Sequence, residues 1–189
     1  MNFAPRLAAA SLAVALACGC SWLGGSRHSV FIPEMNTAAE QCNFAQQLQA
    51  NTFPSKDPKK QQQRLARLLA AYDKVIERFP DDPLWTPLAK LQIVELYMAA
   101  EMPQKALPVV DQLVAQVEEL IASGQTDLEY IDAKARYDRG RCLEEAGRKA
   151  EAQEAYRDCM DRHKESTDSK IKIVVGWAKN RYERAVDLK

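Results

Sequence analysis

Near the N-terminus, the residues best suited to do chemistry are two thiols, Cys18 and Cys20, at the end of an apolar run. The run from Leu7 to Ala17 contains only Ala, Leu, Val and Ser, and one basic residue, Arg6, precedes it. Eleven helical residues span about 16 Å, roughly half of the hydrocarbon core of a bilayer, so a permanent membrane span is a poor interpretation. A basic start, a short apolar core and small residues at its end predict a cleaved export signal over residues 1–19.

A small residue followed by Cys, as occurs at Cys18 and at Cys20, resembles the lipobox of bacterial lipoproteins, in which the thiol is acylated and becomes residue one. Gly-Cys-Ser is the commoner junction in that family, so the resemblance favours Cys20 as the lipidation site, with Cys18 as the alternative. Neither cysteine has the preferred Leu three positions upstream, and a plain secretory signal with two incidental cysteines is the other interpretation. By the sorting rule of such lipoproteins, Gly19 or Ser21 after the acylated residue, in place of Asp, implies a lipid anchor in the outer membrane, facing the periplasm. Residues 20–35 would then be a flexible tether.

The other residue types that carry chemistry predict no enzyme. Cys42, Cys142 and Cys159 include no Cys-x-x-Cys pair, and their odd number leaves at least one thiol unpaired or in an intermolecular bond. The chain has two histidines, and His163 near a helix end is explained by the helix dipole without a metal. No Gly-rich phosphate loop, Ser-x-x-Lys or His-Glu-x-x-His motif is present. We therefore predict no catalytic residue, no metal and no cofactor. The 26 basic and 26 acidic residues balance, which gives no support for binding nucleic acid.

Beyond residue 36 the apolar residues recur with a helical period, and no segment alternates with period two over a useful length. Three pairs of residues are predicted to start helices: Asp57 with Pro58, Thr86 with Pro87, and the capping box of Thr126 with Glu129. A weak helix is predicted for residues 36–50 and a final one from about Ser169. The fold class is therefore all-α, built of consecutive antiparallel helix hairpins.

The segment "YDRGRCLEEAGRKAEAQEAYRDC" resembles a tetratricopeptide (TPR) repeat. In a unit over residues 133–166, Gly140, Gly147, Ala152 and Tyr156 occupy the family positions 8, 15, 20 and 24. In that family, small residues at 8 and 20 let two helices approach closely and the aromatic residue at 24 fills the space beside them. Gly147 would provide the positive φ that the turn needs.

Weaker matches precede this unit. Residues 87–120 match at Tyr97 and Ala106, but Glu101 stands where the family has Gly. Residues 57–81 match only a second helix, with an ending similar to repeats of lipoproteins that assist outer-membrane barrel assembly. The resemblance implies a short α-solenoid within a domain of residues 36–189, closed by a capping helix over 169–187.

The spacing of position 20 departs from the 34-residue period of the family. Leu68, Ala106 and Ala152 lie 38 and then 46 residues apart. We predict that the residues in excess of the 34-residue period lengthen two helices, 103–122 and 127–146. These two helices would form one elongated hairpin that projects from the stack.

The TPR resemblance also implies where a partner would bind. First helices of such repeats line a groove for a peptide or a helix, and the matching positions here are Leu88, Leu91, Glu95, Met98, Lys134, Tyr137, Arg141 and Glu144. The predicted function is a protein-interaction scaffold in an envelope assembly. The alternative is a self-associating structural subunit that forms homo-oligomers through its last helix. An exposed apolar face over residues 171–186 would favour a partner or self-association, and a buried one would favour a capped monomer.

Overall fold

The computed structural model describes residues 31–187, with side chains up to residue 184. The predicted signal peptide, both candidate lipidation sites and the tether up to residue 30 lie outside this range. The described residues form seven α-helices and no strand, which confirms the all-α class. The helices are α1 (Ala38–Ala50), α2 (Pro58–Arg78), α3 (Trp85–Ala99), α4 (Pro103–Ala122), α5 (Glu129–Glu145), α6 (Lys149–His163) and α7 (Ser169–Asp187).

The helices pack in a regular order. Each helix contacts the next one in sequence, and α1 with α3, α3 with α5 and α5 with α7 are also in contact. Within residues 31–187 the backbones of the even-numbered helices α2, α4 and α6 do not approach one another closely, although Arg162 of α6 pairs with Glu118 of α4. The odd-numbered helices therefore form one continuous row, called here the odd-helix row, and the even-numbered helices lie beside it.

The apolar core runs along the whole stack in three clusters that share residues. The first lies among α1, α2 and α3, the middle one among α3, α4 and α5, and the last among α5, α6 and α7. Leu88 and Tyr97 pack against both the first and the middle cluster, and Leu107 packs against both the middle and the last. Each cluster includes residues of three of the described helices, so neighbouring hairpins depend on each other for burial.

The segment before α1 is held against the helices. Gln41 is fully buried, its Oε1 accepts the Met35 N–H at 2.9 Å, and its Nε2 donates to the Pro33 carbonyl at 3.1 Å. Glu34 forms an ion pair with Lys74 on α2 at 3.0 Å. The last residues of the predicted 20–35 tether are thus docked on the domain.

Three helix ends share one C-cap geometry. Glu101, Gly124 and Gly147 follow α3, α4 and α5 with φ of 57°, 100° and 80°. After α3 the Met102 N–H donates to the Tyr97 carbonyl at 2.9 Å, and α4 and α5 end with the same bond pattern. This is the Schellman motif, which needs a left-handed residue just past the helix. The positive φ predicted for Gly147 is confirmed, and Glu101 adopts the same conformation with a Cβ.

Replacing Glu101 by Gly is expected to raise the free energy of unfolding by about 0.5–1 kcal/mol, because glycine adopts a positive φ without the Cβ clash. Urea denaturation followed by circular dichroism measures the change. Glu101→Ala is the matched control, since it removes the side chain and keeps the clash. Equal stability of the two variants would show that φ is not strained at this position.

The predicted helix starts are right at one place and wrong at two. Asp57 caps α2, with its Oδ1 accepting the Lys59 N–H at 2.9 Å. Thr86 does not cap α3, because Asp82 accepts the first N–H groups and the helix starts at Trp85. Thr126 forms no capping box, since α5 starts at Glu129 after Leu128 without a side-chain cap.

The two helices of the predicted hairpin are formed, but neither is the longest of the described helices. α4 covers Pro103–Ala122 as predicted, whereas α5 covers Glu129–Glu145 in place of 127–146. α4 has 20 residues and α5 has 17, while α2 has 21. Because α5 is packed against α3, α4, α6 and α7, the second half of this hairpin lies inside the stack and does not project from it.

Candidate functional site

The eight residues of the predicted groove all lie on α3 and α5, two neighbouring members of the odd-helix row. The apolar ones are mostly interior. Leu91 and Met98 are 2% and 5% exposed and belong to the middle core cluster, and Leu88 is half-buried against the same cluster. A partner approaching this row would therefore meet its polar side chains first.

The polar residues of the prediction form an ion-pair network that joins α3 to α5. Lys134 Nζ lies 2.7 Å from Glu95 Oε1 and 2.5 Å from Asp138 Oδ2. Arg141 Nη1 lies 3.2 Å from the other oxygen of Asp138. Lys134 is 7% exposed and Asp138 is fully buried, whereas the side chains of Glu95 and Arg141 are 36% and 26% exposed. The network thus has a buried centre and two accessible ends.

The charge states within this network follow from burial and pairing. Burial alone would lower the pKa of Lys134, but the carboxylates of Asp138 and Glu95 outweigh it and the pKa lies above its ordinary value. Burial raises the pKa of Asp138, which Lys134 and Arg141 only partly offset. Because Lys134 stays charged, Asp138 provides the nearest buried countercharge, and removal of either leaves the other without a buried partner.

A second set of contacts joins α5 to α6 and α7. Glu144 accepts the Tyr156 hydroxyl at 2.6 Å and pairs with Arg181 at 3.2 Å. The ring of Tyr137 lies 5.7 Å from that of Trp177, which is 44% exposed. The accessible part of the odd-helix row is therefore a line of charged and aromatic side chains that crosses three helices.

Sequence reasoning missed two members of this line, Trp177 and Arg181, and the buried Asp138 next to it. Neither Asp138 nor Trp177 is a position of the predicted groove. Arg181 is not a groove position either, because the last helix is predicted to be a capping helix or a surface for self-association. One signal was present in the sequence: Trp177 and Arg181 are four residues apart, so they lie on one side of a helix.

A separate polar cluster lies where α4, α5 and α6 meet. Asp132 is 1% exposed; its Oδ1 accepts from Arg136 Nε at 2.9 Å and its Oδ2 lies 3.0 Å from His163 Nε2. Arg136 also pairs with Asp158. Burial alone would raise the pKa of Asp132, but hydrogen bonds and charge from His163 and Arg136 outweigh it and lower the pKa below its ordinary value. Within residues 31–184 no three His, Cys, Asp or Glu side chains are arranged to hold a metal ion.

The three described cysteines are buried free thiols. Burial raises the pKa of Cys42 to about 11 and the pKa of Cys142 and of Cys159 to about 12. Thiolates are the reactive form, so these residues are inert in the folded chain. Cys142 packs against Met98, with the two sulfurs 3.2 Å apart.

None of the described helices is long and apolar enough to cross a bilayer. No protein-family model matches the chain, and no curated protein is similar to it at a significant level.

Proposed function

We propose that this chain is a lipid-anchored outer-membrane protein, facing the periplasm, whose odd-helix row holds a protein partner in an envelope assembly. The observation that carries the proposal is the line of partly exposed side chains on α3, α5 and α7. Glu95, Arg141, Trp177 and Arg181 are each fixed by a contact and each still reaches solvent. Pre-positioned aromatic and Arg side chains are the groups that contribute most to protein interfaces.

The packing supports a TPR-like solenoid as the scaffold. An ideal Cβ added to Gly140 would lie 2.4 Å from Cε1 of Tyr156, so α5 and α6 approach each other as closely as family positions 8 and 24 require. The contacts between successive odd-numbered helices also suit stacked helix hairpins, which expose one row of helices along a common face.

The anchor rests on the N-terminal sequence. A basic start, an apolar run of eleven residues and the two small-residue–Cys junctions at Cys18 and Cys20 support export and acylation. More than one acyl chain would be needed for a stable anchor. Docking of the segment around Glu34 on α2 would then keep the domain close to the membrane surface.

The self-associating alternative receives less support. Ile171, Val174 and Ala178, the α7 residues that would form an apolar stripe for self-association, are each at most 2% exposed and pack into the last core cluster. That face of α7 closes the stack and offers no apolar stripe to a second copy.

The experiment that tests the proposal is in-cell crosslinking of the tagged, full-length chain in a bacterium that exports it. The outer-membrane fraction is purified and the crosslinked proteins are identified by mass spectrometry. We expect one envelope protein to dominate, and we expect the control Cys18→Ser/Cys20→Ser to leave that fraction. Recovery of self-crosslinks alone would contradict the scaffold function, and an unchanged distribution of the control would contradict the anchor.

A further inference from the structure

The last helix carries a surface that its role in closing the stack does not use. Lys170, Ile173, Trp177, Arg181 and Arg184 are three or four residues apart in succession and form one face of α7, called here the α7 stripe. Ile173 is 53% exposed and Trp177 is 44% exposed. Large apolar side chains that are exposed next to each other are a candidate interaction site.

The α7 stripe is cationic, although the whole chain is neutral. The full sequence has 26 basic and 26 acidic residues, whereas α7 (Ser169–Asp187) includes five basic residues and two acidic residues, Glu183 and Asp187. Glu183 is paired with Lys179, which is not in the stripe. Among the described side chains, Lys170 and Arg184 have no carboxylate within 4 Å, and Arg181 has only Glu144. Among the described side chains, this face therefore carries more positive than negative charge.

The apolar centre of the stripe is held in place. The Trp177 ring packs on Tyr137, which is 8% exposed and has the cations of Lys134 and Arg141 within 6 Å of its ring. An aromatic side chain fixed in this way loses little conformational entropy on binding, which is typical of an interface anchor. Trp177 and Arg181 also belong to the line on the odd-helix row, so the stripe extends that surface.

We infer that the α7 stripe docks an acidic segment of the protein partner, with an apolar side chain of that segment on Ile173 and Trp177 and its carboxylates on Lys170 and Arg184. The inference rests on the proposed function and specifies the charge of the partner. Complementary charge is what selects one partner over another at such a surface. A second copy of this chain would place cations against cations if it docked through the same stripe, which disfavours self-pairing.

Two matched double variants distinguish binding at the α7 stripe from a general effect of the net charge of the protein. Lys170→Glu/Arg184→Glu reverses the two cations at the ends of the stripe. Lys172→Glu/Lys179→Glu makes the same change of charge on exposed α7 residues outside it. All four side chains are exposed, so both variants are expected to fold, which thermal unfolding by circular dichroism verifies.

The test is a selection of random displayed peptides on the full-length chain in detergent micelles, followed by affinity measurements. We expect enriched peptides to combine Asp and Glu with a large apolar residue. The stripe variant should bind them at least about tenfold more weakly, whereas the control should change little. Binding should also weaken as salt is raised, because exposed charges are screened.

Four other outcomes would overturn the inference. Enriched peptides could bind the stripe variant as well as the unchanged protein but bind Arg141→Ala more weakly. The proposed function would then stand, and the peptide site would lie outside the α7 stripe. A selection that enriches no peptide would count against both the proposed function and the inference about the α7 stripe. Binding to vesicles of phosphatidylethanolamine and phosphatidylglycerol through Lys170 and Arg184, without peptide binding, would assign the stripe to a membrane. A dimer dissociated by the stripe variant would assign it to a second copy.

Discussion

Replacing Asp138 by alanine is expected to lower the free energy of unfolding by about 3–5 kcal/mol, the cost of breaking a buried ion pair from one side. Asp138 is fully buried and faces both Lys134 and Arg141. Its removal leaves the buried Lys134 ammonium with only the half-exposed Glu95 as a countercharge. Urea denaturation followed by circular dichroism measures the change.

Two further variants test the cause of that loss. The double variant Lys134→Met/Asp138→Leu should be less destabilised than Asp138→Ala, because replacing both members by apolar groups removes the uncompensated charge. Glu151→Ala breaks an exposed pair with Arg148 and should change stability little. If Asp138→Ala and Glu151→Ala had equal effects, the buried ion pair of Asp138 with Lys134 would not contribute more to stability than an exposed pair.

Replacing Gly140 by alanine is expected to destabilise the protein by about 2–3 kcal/mol, through overpacking in a filled core. The added Cβ would lie 2.4 and 2.5 Å from two ring carbons of Tyr156. That ring is fully buried and its hydroxyl is bound to Glu144, so it has little freedom to move away. Thermal and urea unfolding both report the change.

Gly176 on α7 is the matched control for Gly140. Both glycines lie inside helices, but no atom lies within 4 Å of a Cβ added at Gly176. Gly176→Ala should therefore stabilise the protein by about 0.5–1 kcal/mol, the ordinary gain in helix propensity. The double variant Gly140→Ala/Tyr156→Leu should lose less than the sum of its single changes, because the two sites are in contact. If Gly140→Ala were as stabilising as Gly176→Ala, α5 and α6 would not be in close contact.

Much of the fold could be predicted because helical periodicity and proline positions are local properties. Pro103 starts α4 and the apolar spacing carries it to Ala122, as observed. The close approach at Gly140 could also be predicted, since a glycine and an aromatic sixteen residues apart match one repeat. The starts of α3 and α5 could not be predicted. At α3, Asp82 and not Thr86 accepts the first N–H groups. At α5, the helix begins without a side-chain cap, so Thr126 has no capping role.

The charge pattern of α5 was the least predictable part of the candidate site. Asp132, Lys134, Arg136 and Asp138 occupy every second position over about two turns, and mixed charges of this kind are typical of a solvated helix. All four are buried, because α5 is the central helix and is covered by α3, α4, α6 and α7. Position within a stack is a tertiary property, so only the structure separates these network residues from surface charges.

The most direct test of the central claim is site-specific photocrosslinking in the exporting bacterium. A photoreactive phenylalanine replaces Gln92 or Trp177 on the odd-helix row, and Glu119 or Glu154 on the exposed sides of α4 and α6 serves as the control. We predict that both odd-row positions crosslink to one and the same envelope protein and that both control positions do not. Crosslinks to that protein from Glu119 or Glu154, with none from Gln92 or Trp177, would contradict the account.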